Sequence, residues 1–118
     1  MRQTGIFAST AFVALQDWQE KMTKDHENAR WMAEELASIP GVVIDPKLIE
    51  TNIVRFGFEP KFLKDLKTDY LGVRDILKEK KILIGCGFNA DQIRALVHRD
   101  LDRQDCEKFV TAIKSLKQ

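Results

Sequence analysis

Asn52-Ile53-Val54-Arg55-Phe56-Gly57-Phe58, closed by Pro60, is the stretch whose alternation decides the fold. It predicts a β-strand with Ile53, Phe56 and Phe58 toward the core and Val54 as a further candidate. Upstream, Val42-Val43-Ile44-Asp45 reads as a short strand stopped by Pro46. Downstream, Asp69 to about Lys80 returns to helical spacing, and the polar patch from Lys61 to Thr68 reads as a loop or a short helical turn. Lys81-Ile82-Leu83-Ile84-Gly85 and Gln92-Ile93-Arg94-Ala95-Leu96-Val97 are read as two strands around the turn Cys86 to Asp91. A last helix begins near Asp102 or Arg103, with Asp102 as N-cap and Asp105 in the first turn. Cys106, Phe109, Val110, Ile113 and Leu116 form its apolar face. The order α-β-β-α-β-β-α is an α+β layout: one domain over 1–118, with a small, mostly antiparallel sheet and helices packed on it.

Residues 1–39 read as one long linking helix, with 40–118 as the α/β small domain. Ala11, Leu15, Trp18, Met22, Ala29, Met32, Leu36 and Ile39 fall at a spacing of three or four and build one apolar stripe. Met22 and Met32 with Trp18 read as core, and Gly5 and Asp25 are the points where so long a helix would bend. Pro40-Gly41 ends it. Its beginning differs in kind: Gly5 to Ala14 contains no charged residue. A helix apolar or small all round is normally buried on all sides. A domain this small cannot wrap its own first helix, which implies another domain or subunit.

With 118 residues and 13.6 kDa, the chain is long enough for a real core. A formal net charge of +1, from 19 Lys and Arg against 18 Asp and Glu, gives no long-range pull toward nucleic acid or an anionic membrane. No apolar run approaches the ~18 residues of a membrane span. The N-terminal segment lacks the pattern of a signal peptide, so cytoplasm is the expected compartment. Cys86 and Cys106 are too few for a disulfide framework or a zinc site, and no metal is expected.

Three segments, in order, resemble the threonine aldolases. Met1-Arg2-Gln3-Thr4-Gly5-Ile6 is similar to a family segment that follows three glycines in full-length members. Asp25-His26-Glu27-Asn28-Ala29-Arg30, with Met32-Ala33-Glu34-Glu35-Leu36 and Thr51-Asn52-Ile53-Val54, forms the second. The third is Ile93-Arg94-Ala95-Leu96-Val97-His98-Arg99-Asp100-Leu101. The resemblance implies the small C-terminal domain of a fold-type I pyridoxal-phosphate lyase that cleaves β-hydroxy-α-amino acids to glycine and an aldehyde. It implies as partners a large cofactor-binding domain or sister subunits in a homo-oligomer. Arg94 matches the arginine that holds the substrate's α-carboxylate, a task suited to a guanidinium fork donating two parallel hydrogen bonds. Holding that group fixes rotation about Cα. Arg2 matches an arginine near the cofactor phosphate, reached from a neighbouring subunit. The lysine that carries the cofactor in this family lies upstream of the glycines, outside these residues. Val97 stands where the family usually has threonine, and Cys86-Gly87-Phe88-Asn89 replaces a more glycine-rich turn. Alone, the chain is therefore expected to lack catalytic residues, bound cofactor and activity.

The residues also admit plainer readings. Arg94 taken alone is a solvated strand arginine, and Arg2 a disordered terminal residue. His26, between Asp25 and Glu27, suits a structural hydrogen bond. His98 with Asp100 and Ser115 lacks a nucleophile turn, and Gly85-Cys86-Gly87 is too short for a phosphate-binding fingerprint. An alternative function is a free-standing, non-catalytic domain that self-associates or binds protein through its apolar N-terminal helix. A third is a different fold-type I enzyme, since fold does not fix chemistry.

Overall fold

The structure, a computed structural model, describes residues 3–87 and 89–117. Its helices are α1 (Thr4–Ala14), α2 (Trp18–Ala37), α3 (Pro60–Asp65), α4 (Tyr70–Glu79) and α5 (Arg103–Lys114). Its strands are β1 (Val42–Val43), β2 (Ile53–Phe58), β3 (Gly85–Cys86) and β4 (Ile93–Leu96). They form one antiparallel sheet in the order β1-β2-β4-β3. The α+β arrangement is the one read from the sequence.

Period-two alternation sorts β2 and β4. Val54, Phe56 and Phe58, with Ile93, Ala95 and Val97, are buried on one face. Ile53 was expected to face the core but has the opposite parity, and lies half-buried on the other face with Arg55. Onto the inner face pack Ala29, Met32, Ala33 and Leu36 of α2 and Cys106, Phe109, Val110 and Ile113 of α5. Val73 and Leu77 of α4 and Phe62 of α3 join the same core. Phe58 stacks on Phe62 at 4.6 Å between ring centroids and meets Phe56 edge-on at 5.6 Å. Such pairs add about 0.5–1.5 kcal/mol beyond burial.

The caps explain most boundaries. The Asp69 carboxylate accepts from Gly72 N at 2.8 Å and starts α4. Asp102 and Asp105 form a reciprocal capping box at the start of α5. α3 and α4 each end with a lysine in the left-handed region, Lys67 (φ 52°) and Lys81 (φ 63°). After α4, Lys81 N donates to Lys78 O and Ile82 N to Leu77 O, both at 2.9 Å. This closure ties the chain back to the helix and steers it away from the sheet. The strand read over 81–85 therefore reaches β4 only at Gly85 and Cys86.

The long first helix is in fact two. It breaks at Leu15-Gln16-Asp17 rather than bending at Gly5 or Asp25. Asp17 is the N-cap of α2, and its carboxylate pairs with Lys21 one turn on. Only the later half of the apolar stripe enters the core. Trp18 and Met22, expected as core, are 44% and 45% exposed, while Met32 is buried. α1 buries no residue at all. Two of its hydroxyls bond back to the helix, Ser9 Oγ donating to Gly5 O and Thr10 Oγ1 to Ile6 O. The radius of gyration, 16.8 Å, exceeds the roughly 13.5 Å of a compact chain this long, because α1 projects from the body.

Gly41 has φ 88°, and a Cβ there would stand 2.6 Å from Phe62 Cδ2. Gly41→Ala is therefore expected to lower stability by about 2 kcal/mol, read as a shift in the urea midpoint. Asn52 Nδ2 donates to Val97 O at 2.6 Å, one step beyond the paired residues of β2 and β4. Asn52→Ala leaves that carbonyl without its side-chain donor and is expected to cost about 1 kcal/mol in the same measurement.

Candidate functional site

The inner face of the sheet belongs to the core, and the exposed side chains of β2 and β4 stand on the outer face. There Ile53, Arg55 and Gly57 of β2 lie beside Arg94 and Leu96 of β4, with Gly85 of β3 beyond. Arg94, the residue chosen from the sequence, is exposed at the centre of this face. Directly opposite stands Arg55.

The register fixes how close the two are. Val97 N donates to Asn52 O at 2.9 Å, which makes 52/97 a hydrogen-bonded pair. Pair types alternate along an antiparallel ladder, so 55/94 falls in the closer, non-hydrogen-bonded class. Side chains in such pairs start about 4.5–5.5 Å apart at Cβ. Like charges placed directly opposite are unfavourable. Among the described residues, neither guanidinium has a hydrogen bond or ion pair. On the far side of Arg94, Gly85 brings no side chain, whereas the Tyr70 hydroxyl fills the space at Gly57, 3.2 Å from where a Cβ would stand. The result is two free forks on an open apolar floor of Ile53 and Leu96.

A concavity of about 440 Å³ continues this face past Arg55, where Ile53 and Gln92 meet the 45–51 loop. Asp45 and Glu50 line it, and Asp45 Oδ1 already accepts from Lys47 N at 3.0 Å. Arg55 was missed in the sequence, since nothing in its strand distinguishes it from a solvated residue. Its signal is the pairing with Arg94, which needs the register.

The other sequence-marked residues are not brought into a site. Arg2 lies outside the described residues. His98 Nδ1 stands 3.6 Å from Asp100 Oδ2, whereas Ser115 Oγ donates to Ala112 O at 2.8 Å and receives Lys80 Nζ at 2.7 Å. Both residues line a groove of about 1130 Å³ beside α5, yet no hydrogen bond joins them. Cys86 and Cys106 are free thiols, and burial pushes both upward in pKa, away from the thiolate. Among the described residues no group of three His, Cys, Asp or Glu can hold a metal ion. Among the described residues no helix is long and apolar enough to cross a membrane.

Comparison with known proteins bears on sequence and fold. The Beta-eliminating lyase family model matches residues 1–58. Low-specificity L-threonine aldolase 1 of Arabidopsis thaliana is 32% identical over 105 residues, covering 89% of this chain and 28% of its own length. The low specificity L-threonine aldolase of Escherichia coli strain K12 is 30% identical over 105 residues, covering 88% of this chain and 27% of its own. The chain thus spans little more than a quarter of these relatives. Among solved structures, a cystine C-S lyase in complex with its product cysteine persulfide superposes with a TM-score of 0.69 at 15% identity, over 82% of this chain and 24% of that one. A variant of the same lyase, with glycine covalently linked to its PLP cofactor, gives a TM-score of 0.65 at 16% identity over the same shares. In sequence the chain is threonine-aldolase-like, and in fold it is similar to the small domain of fold-type I pyridoxal-phosphate enzymes.

Proposed function

We propose that the chain is the C-terminal domain of a pyridoxal-phosphate-dependent lyase of the threonine aldolase type. That enzyme cleaves β-hydroxy-α-amino acids to glycine and an aldehyde, and Arg94 holds the substrate's α-carboxylate. One observation carries the reading: Arg94 is an unpaired guanidinium on the open face of a threonine-aldolase-like sheet. A guanidinium fork forms two parallel, charge-assisted bonds to a carboxylate, which anchors the substrate and fixes its rotation about Cα.

The described residues do not by themselves fit pyridoxal phosphate. The face that bears Arg94 is unwalled, and α1, which begins two residues after Arg2, buries none of its own residues. What they fit is the substrate's carboxylate. In this reading the cofactor-bearing lysine and the walls of its site come from a large domain or sister subunits. Arg2 approaches the cofactor phosphate from a neighbouring subunit, and the assembly is a cytoplasmic homo-oligomer. The 118-residue chain alone is inactive.

In the assembled enzyme, Arg94→Gln is expected to lower kcat/KM for threonine about 10²-fold, the size of two charge-assisted bonds lost. An unchanged kcat/KM would remove Arg94 from the site. Aldehyde release from threonine by the isolated chain with added cofactor should not exceed that of the cofactor alone.

A second reading rests on α1. Ile6, Phe7, Phe12 and Val13 are 63–69% exposed on a helix with no charge. As a free-standing domain, the chain would act by self-association or protein binding through this helix. Sedimentation at high concentration is expected to show oligomers that Phe7→Glu with Phe12→Glu dissociates. A clean wild-type monomer would count against α1 as an interface between copies.

A further inference from the structure

We infer that Arg55 and Arg94 form a single two-guanidinium site that takes a ligand with two carboxylates, one on each fork. The inference rests on the reading of Arg94 as a carboxylate anchor and deepens it. The substrate class becomes a β-hydroxy-α-amino acid whose side chain also ends in a carboxylate.

The argument starts from an unfavourable placement. Two arginines directly opposite in the closer pair class repel, and the sheet has no described acid bonded to either. An arginine serving only solubility gains nothing from that position. An anion between the forks converts the repulsion into attraction.

Geometry then selects the anion. One carboxylate is satisfied on two lone pairs by one planar fork, which leaves the second guanidinium unused. Cβ atoms about 4.5–5.5 Å apart place the two forks at a spacing suited to carboxylates separated by two or three carbons. Gly85 leaves Arg94 free to open to that spacing, and Ile53 and Leu96 offer an apolar floor for the connecting carbons. The concavity past Arg55 is lined by Asp45 and Glu50, whose charge turns a second carboxylate away from it and keeps it on the Arg55 fork facing Arg94.

The test uses the 118-residue chain with succinate, acetate and sulfate as probes, read by the NMR shifts of the arginine Nε–Hε groups at fixed low ionic strength. Succinate is expected to bind at least tenfold more tightly than acetate. Arg55→Gln should bring succinate to the acetate level and leave acetate within twofold of wild type. Arg94→Gln should weaken both. Relief of the opposed charges predicts a Tm for Arg55→Gln no lower than wild type, which also shows that the variant folds. Succinate and acetate within twofold of each other would overturn the two-fork site. If acetate still depended on Arg94 in that case, the carboxylate anchor would survive on its own. Binding of neither probe, or binding unaffected by Arg94→Gln, would remove both readings. Sulfate as tight as succinate would assign the pair to a compact dianion and overturn the two-carboxylate assignment.

Discussion

The register of β2 against β4 is the constraint on which the rest depends. A shift of one residue would turn every side chain of one strand to the other face. Phe56 and Phe58 would leave the aromatic cluster, and Arg55 would enter the core. Two things hold the register. Val54, Phe56, Ile93 and Ala95 must share the buried face, and Asn52 binds Val97 O through its side chain while accepting from Val97 N. The same pairing that closes the core therefore sets the two guanidinium groups side by side.

The helices divide by whether they find that core. α2 and α5 cross on the inner face, and their contact is fastened at the rim by Lys114 with Glu35 at 3.0 Å. Arg103 lies over Trp31 at 4.5 Å, so its apolar stem and charge both cover the seam. α1 and the first turns of α2 have no such partner. Exposed apolar residues follow one another in sequence from Ile6 to Met22, on both sides of the break at 15–17 and ahead of the buried stripe of α2. The three-or-four spacing from Ala11 to Ile39, which runs through that break, is what makes residues 1–39 read as one helix.

Legibility in the sequence followed the physics of each signal. β2, β4, α4 and α5 were read nearly to their ends, because amphipathic period and Asp caps are local. The break at Asp17 was not, since Asp17 spends its carboxylate on Lys21, while the suspected Gly5 and Asp25 stay helical. β3 was read too long because lysine at a left-handed position gives no warning of a helix closure that glycine would announce. Arg94 was found through resemblance, not through period or charge. Arg55 could not be found, because its meaning lies in a residue 39 positions away that only strand pairing places beside it.

α1 is eleven residues long and takes no support from the core. Helices of this length are marginal in water, where most helical stability comes from tertiary packing. Its helicity and its docking are thus one event rather than two. Contact with whatever covers it must order backbone and bury apolar surface together, giving association a markedly negative heat-capacity change. Cooling will weaken that contact even as it favours the hydrogen bonds inside the helix.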